Sequence, residues 1–343
     1  SLIFNPSLLW VMVGWRDHQK IQKPLSLLQK KGIRFLNSVV SKIDFENRKV
    51  FTLEEDFTFD YLVTALGAST YPDRQKGFQE AAYNLYDLSG ALKIREAIEK
   101  FEKGRMVVLI SSKPFKCPAA PYEAALILSE YFKRKRRDVE IELVTPEPLP
   151  MGVAGQDVGN MVVSLLQSRG IRFVSQHQVE SIDQTKKEIS FQGGERISFD
   201  FLIGIPPHGI PQVLNGSPIL GESGWVKVNK NTLETDLENV YALGDVTAIK
   251  LAAGKPLPKA GVFAHFEADV VAKSIEAKIN GISPKKEFDG KGYCFIELGN
   301  GKAAYASGNF YAEPDPVVKM KRASRFRHWG KAQFEKWWLR KWF

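Results

Sequence analysis

Two stretches of this chain read almost as copies of one another. KGIRFLNSVVSKIDFENRKVFTLEEDFTFDYLVTALG covers residues 31–67, and RGIRFVSQHQVESIDQTKKEISFQGGERISFDFLIGI covers 169–205. Each alternates apolar and polar residues, breaks at a polar turn (ENRK, QTKK), and closes on a short apolar strand. A repeated half-domain restricts the fold sharply, because each copy must complete a core of its own. The chain is 343 residues long, too long for one small core, so two similar nucleotide-type domains are the simplest reading.

Between the copies lies MVVLISSKPFKCPAAPYEAALILSEYFKRKRRDVEIELVTPEP, Met106 to Pro148. It predicts a strand over 106–110, a helix near 119–135 and a strand over 139–144, the rhythm of a nucleotide-binding βαβ unit. A dinucleotide fold needs glycine at the first strand-to-helix turn, so that backbone N–H groups can approach the pyrophosphate. Here no glycine occurs between Arg105 and Met151, and Pro114, Pro118 and Pro121 remove donors and fix φ. Lys113 and Lys116 remain to attract an anion, or simply sit in a solvated loop. Glu147, at the end of the next strand, is placed near a ribose site, but between two prolines it reads as a loop residue. The unit therefore keeps the fold and is expected to have lost NAD(P)H.

Other elements follow the same logic. LSGALKIREAIEKF (88–101) predicts a helix, DVGNMVVSLLQSRG a second one capped by Gly170, and residues 262–279 a third. LENVYALGDV predicts a strand ending in Gly244-Asp245, and GKGYCFIELGNGKAAYASGNFY a hairpin turning at Asn300-Gly301. No run of eighteen apolar residues occurs, and SLIFNPSLLW has neither the basic start nor the cleavage site of a secretory signal.

The net charge of +9 is concentrated at one end. From Val318 to Phe343 there are nine Lys and Arg against the single acid Glu335, which leaves about +1 for everything else. A general nucleic-acid surface is thereby excluded as an expectation. Four of the seven tryptophans lie in the same tail, with Phe326, Trp329, Phe334 and Trp337 at near-helical spacing. A basic, Trp-rich helix suits the interface of an anionic membrane; the alternative is a helix docked on the protein or on a dimer partner. The two cysteines, Cys117 and Cys294, have no metal spacing and form no secreted disulfide framework.

TALGAS (64–69) and NVYALGDV (239–246) resemble the two strand-end FAD motifs of flavoprotein disulfide reductases. In them Gly244 lets backbone approach the cofactor and Asp245 offers a carboxylate to ribityl hydroxyls, although Asp245 also suits a turn or helix cap. NPSLLWVMVGW, KCPAAPYEAA and PKAGVFAHFEA together resemble sulfide:quinone oxidoreductases and, equally, the flavoprotein subunit of flavocytochrome c sulfide dehydrogenase. The resemblance covers nearly the whole chain. It departs at the beginning, where the family has a strand, a G-x-G-x-x-G loop and a helix, about 30–40 residues in all, so the chain reads as N-terminally trimmed.

The resemblance implies an α/β fold of two Rossmann-like domains and a small C-terminal antiparallel and helical domain. Its boundaries are 1–87 with 229–283, then 88–228, then 284–343. It implies FAD as cofactor, held by Asn5, Pro6, Ala65, Gly67, Pro118, Gly244, Asp245, Lys259, Ala260 and Gly261, with no metal. It places Cys117 and Cys294 as a redox-active disulfide above the flavin; Glu123, six residues past Cys117, then reads as acid or base or as a structural hydrogen-bonding or surface charge, and Lys113 and Lys116 aid thiolate formation where they point inward. HS⁻ then attacks the disulfide by thiol–disulfide exchange, and two electrons pass through the flavin to a membrane quinone. His265 is a candidate proton carrier or a packed helix residue. The family's third cysteine is absent, and Tyr86 or a neighbour stands in its place. A peripheral position on the cytoplasmic side of the membrane and possible self-association complete these expectations, with a haem-coupled dehydrogenase or a silent sulfur-carrier scaffold as alternatives.

Overall fold

A computed structural model describes residues 1–343. Its largest sheet has five parallel strands, in the order Arg172–Val174, Asp138–Val144, Lys103–Ile110, Phe201–Ile205 and Tyr83–Asn84. The inner stretches of the middle strands are apolar (MVVLI, FLIGI) because helices cover one face and the antiparallel strands of residues 179–198 cover the other. The helix Ala120–Lys135 packs on one face, and almost all of its first thirteen residues are buried. The predicted strand–turn–helix–strand is therefore present, with the first strand starting three residues earlier than expected. The helix after it runs Gln156–Gln167 and is capped at Ser168; Gly170 takes a left-handed conformation two residues beyond the cap.

The two sequence copies fold alike. Val40–Asp44, Lys49–Thr52 and Asp56–Thr58 form one antiparallel sheet, and Val179–Asp183, Glu188–Phe191 and Arg196–Ser198 form its counterpart. They differ at their ends. In the second copy Arg172–Val174 pairs with Asp138–Val144, whereas in the first copy residues 33–39 have no neighbouring strand and adopt no regular structure. The closing strand Leu62–Thr64 pairs with Val240–Ala242 alone, and Val63 is exposed.

At the C-terminal end Lys291–Glu297 and Ala303–Asn309 form the predicted hairpin, with Asn300 and Gly301 both at positive φ as such a turn requires. A third strand, Val317–Ser324, joins this sheet, so the charged tail is only partly helical. Ser324 caps the helix Arg325–Trp342 by accepting from the Arg327 N–H. One face of that helix lies against the protein through Lys331, Glu335 and Leu339, which recur every four residues. Phe334, expected in an outward stripe, instead packs with Phe4 and Leu8. Phe326, Trp329, Trp337 and Trp342 face outward. No helix is long and apolar enough to cross a membrane.

Candidate active site

The strand Val240–Ala242 delivers Gly244 and Asp245 beside the end of Leu62–Thr64, and the Leu243 N–H donates to the Thr64 carbonyl. The two FAD-type motifs thus converge. Gly244 has φ of +75°, and a Cβ there would stand 3.1 Å from the Ala264 Cβ, so glycine is required on both counts. Its N–H donates to Glu267 Oε2 at 2.6 Å. Asp245 Oδ1 is buried without a hydrogen-bond partner, and so is Thr64 Oγ1. Lys259 turns its ammonium to the carbonyls of Asp245 (2.7 Å) and Thr247 (2.9 Å), against the Trp225 ring.

Burial governs these charges. It pushes the Asp245 carboxyl up, against the pull of Lys259 and Lys116. It lowers the Lys259 ammonium to about 8 and raises Glu267 to about 7, the Gly244 N–H and Lys259 opposing the latter. The helix Gly261–Ile279 begins at Ala260 with no capping side chain, so its first N–H groups have no side-chain acceptor. An orphaned buried carboxylate, a glycine that leaves room, and an uncapped helix start fit the flavin and ribityl end of FAD. No G-x-G-x-x-G stretch for its pyrophosphate occurs in these residues. Ala65 and Gly67 follow Thr64 at the same end, Ala65 exposed and Gly67 half-buried. Asn5 and Pro6 stand exposed in a 3-10 turn beside the tail helix, and no hydrogen bond joins them to this cluster.

Cys117 lies in the glycine-free turn with φ of +49°, pinned by its N–H donating to the Lys259 carbonyl at 2.7 Å. Its own carbonyl accepts from the Ala120 N–H and from the Tyr86 hydroxyl at 3.1 Å. Pro118 follows it, half-buried. The turn thus ties the thiol to the Gly244–Lys259 cluster directly. Lys116 is half-buried with its ammonium on the Ala68 carbonyl, whereas Lys113 is exposed. Glu147 accepts from the Tyr122 hydroxyl at 2.5 Å and is structural rather than a free ribose ligand.

Cys294 lies in the hairpin strand opposite Ala306. Both cysteines are free thiols. They are neighbours in charge: burial raises the Cys117 thiol well above its ordinary value, and Glu123 and Cys294 push it further up while Lys331 draws it down. Burial and Glu123 raise Cys294 in the same way, with Lys331 opposing, although its residue surface is exposed and water there offsets part of that rise.

Glu123 is almost fully buried. Its Oε1 accepts from the Glu297 N–H at 2.6 Å and pairs with Lys331 Nζ at 2.7 Å. Glu297, also buried, faces His328, whose Nδ1 is 2.9 Å away. Lys331 and His328 both come from the tail helix. Sequence reading missed them because each is one cation among many in a basic tail; only the fourfold spacing of Lys331, Glu335 and Leu339 marks the buried stripe. Glu267 was missed inside an apolar helix pattern. His208 was missed as well: its Nδ1 is held by the Pro206 carbonyl, its buried Nε2 has no partner, and burial with Lys116 lowers it to about 4. His265 is a packed helix residue between Phe266 and Trp342.

Residues 122–268 match the family described as pyridine nucleotide-disulphide oxidoreductase. The sulfide-quinone reductase of Aquifex aeolicus is 26% identical over 98% of this chain and 81% of its own length. The mitochondrial sulfide:quinone oxidoreductase of Mus musculus is 22% identical over 89% and 70%. The crystal structure of the Aquifex aeolicus sulfide:quinone oxidoreductase superposes with a TM-score of 0.88 at 24% identity, covering 99% of this chain and 82% of that one. A type II NADH:quinone oxidoreductase of Staphylococcus aureus is 24% identical over 80% and 72%, yet the turn that such a domain would use for a dinucleotide phosphate is here the proline-rich loop of Cys117. Both FAD-type motifs, the CPAAPYE turn and the fold agree with these likenesses, which support the sulfide:quinone oxidoreductase family of flavoproteins.

Proposed function

We propose that this protein oxidises sulfide with FAD as its immediate acceptor and a membrane quinone as the final one. The observation that carries the reading is the anchoring of Cys117 on Lys259, which joins the only turn thiol to the only FAD-type cluster. Gly244, Asp245, Lys259, Ala260 and Gly261 would hold the flavin and ribityl end, and FAD, when bound, supplies a two-electron acceptor. The remaining family positions, Asn5, Pro6, Ala65, Gly67 and Pro118, belong to the same proposal. So does the division into 1–87 with 229–283, 88–228, and 284–343.

The chain's own residues prepare the sulfur chemistry. Cys117 and Cys294 form the pair that HS⁻ attacks in its oxidised state: a new S–S bond forms to one cysteine as the old bond breaks and the other leaves as thiolate. Lys331 favours the thiolate of both. Glu123 takes or returns a proton beside them. Tyr86 and Lys259 fix the turn so that Cys117 keeps its place through the exchange. The exposed aromatics Phe326, Trp329, Trp337 and Trp342, among Lys and Arg, would set the protein on an anionic membrane where quinone dissolves, and the cytoplasmic face is the side we favour.

Sulfide-dependent reduction of a short-chain quinone by FAD-loaded protein tests this reading. Cys117→Ser is expected to lower turnover at least about a hundredfold while flavin binding and far-ultraviolet circular dichroism stay unchanged. Unchanged sulfide turnover in that variant would rule out the cysteine mechanism.

A further inference from the structure

Two buried carboxylates on the helix Ala120–Lys135 reach across to the hairpin that carries Cys294. We propose that Glu123 and Glu130 form a two-point clamp that fixes the register of the Cys294 strand against the Cys117 helix, so that the two sulfurs meet. The inference rests on the cysteine pair proposed above, and it makes Glu130 a positioning residue.

Both contacts are direct. Glu123 Oε1 accepts from the Glu297 N–H at 2.6 Å, and Glu130 Oε2 accepts from the Asn300 N–H. Both acids are almost fully buried. Each has a cation of its own: Lys331 Nζ lies 2.7 Å from Glu123 Oε1, and Arg134 Nη2 lies 2.6 Å from Glu130 Oε1. A backbone N–H bonded to a carboxylate is among the strong, directional hydrogen bonds. Glycine at 299 leaves room for one of them, since a Cβ there would stand 2.6 Å from Glu130 Oε2. Arg169 adds a third tie by donating to the Leu298 carbonyl at 3.1 Å.

The spacings of the two elements agree. Seven residues of helix, Glu123 to Glu130, rise about 10.5 Å. Three residues of extended chain, Glu297 to Asn300, span up to about 10 Å. Helix and strand end therefore run side by side in the same direction, with one bond at each end of the shared stretch. Carried back along both segments, this alignment leads to Cys294, three residues before Glu297, and to Cys117, in the turn before the helix. Cys294 shares a strand face with the buried Ile296, and Ile296 packs in the apolar cluster that Cys117 borders. Apolar packing holds the hairpin there but has no direction. A slip of one residue would turn Cys294 to the opposite face, and the two carboxylates oppose that slip. A pair held in register forms its bond at a high effective concentration.

Both bonds to Glu123 fall on Oε1, so a proton can still be exchanged at Oε2. Glu130 has no such second task and is the residue to change. The cysteine pair is brought to equilibrium with reduced and oxidised dithiothreitol, without sulfide. The two thiols pass two protons and two electrons to the oxidised reagent as their own S–S bond forms and that of the reagent opens. The remaining free thiols are trapped and counted by mass. Glu130→Met keeps the volume and removes the acceptor. It is expected to lower the equilibrium constant for the Cys117–Cys294 bond about tenfold, a rise of about 30 mV in the potential of the pair. Glu130→Gln, which still accepts from the Asn300 N–H, is expected to restore it. Because coupling is reciprocal, oxidation of the pair in the parent is expected to slow exchange of the Asn300 amide hydrogen about tenfold. That measurement decides the matter if Glu130→Met does not fold. An equilibrium constant unchanged in Glu130→Met, a loss that Glu130→Gln leaves unrepaired, or Asn300 exchange indifferent to the disulfide overturns the clamp. A parent that forms the disulfide as described but does not oxidise sulfide overturns the proposed function and leaves the clamp standing. A parent that forms no disulfide overturns both.

Discussion

Glu267 is buried under Gly244 and carries a consequence that its sequence position hides. Its folded value of about 7 lies above the ordinary carboxylate value of 4.5, because burial disfavours the charge more than the Gly244 N–H and Lys259 favour it. A raised acid stabilises the fold while it is protonated. Its contribution is complete below about pH 4.5 and is lost as pH climbs through about 7, on the order of 3 kcal/mol in total. Glu267→Gln keeps an acceptor for the Gly244 N–H but cannot ionise. Urea unfolding between pH 5 and pH 7 is therefore expected to show the parent losing stability relative to the variant, since the slope of His208, lowered to about 4, is common to both. Equal slopes would mean that Glu267 is charged throughout. Lys259, lowered to about 8, titrates above this window and does not confound it.

Elements were the part of this protein most legible in its sequence. The hairpin at Asn300-Gly301, the cysteine helix and the paired half-domains follow from turn chemistry and periodicity, which act over a few residues. The closing strand after each copy was legible, but its neighbours were not, since pairing depends on distant segments. Residues 33–39 repeat the pattern of 171–177 and still form no strand, because in the second copy it is Asp138–Val144 that completes the pair. The partners of Glu123 were hidden for the same reason: Lys331 is far away in chain order and lies in a tail that looks uniformly solvated. Gly90 makes the point as a prediction. Inside the helix Leu88–Lys100, replacing it by alanine should stabilise by about 1 kcal/mol on propensity alone. In the fold a Cβ there would stand 1.8 Å from the Asn84 carbonyl oxygen. Gly90→Ala is thus expected to destabilise by about 2 kcal/mol, measured as a lower midpoint of thermal unfolding; a higher midpoint would show that the turn at Asn84 yields without cost.

For the molecule as a whole, the tail has two faces with two different jobs. The inner face holds Leu339 in a cluster with Phe4 and Leu8, sets Lys331 on Glu123, and places Glu335 between Ser7 and Arg16. The outer face presents Trp329 and Trp337, 57% and 49% exposed, among cations. Removing the tail to ask about membranes would confuse the two. Truncation after Ser324 strips Lys331 from the buried Glu123, and an uncompensated buried charge costs about 3–5 kcal/mol. That truncated chain is expected to lose thermal stability whether or not a membrane is present. The double variant Trp329→Ser, Trp337→Ser leaves the buried Lys331, Glu335 and Leu339 in place. It is expected to keep its unfolding midpoint and lose about tenfold in binding to vesicles of phosphatidylglycerol and phosphatidylcholine, with the remaining binding abolished by salt. Vesicle binding equal to the parent would remove the outer face from membrane attachment and leave the tail as a structural strut whose tryptophans face water for another reason.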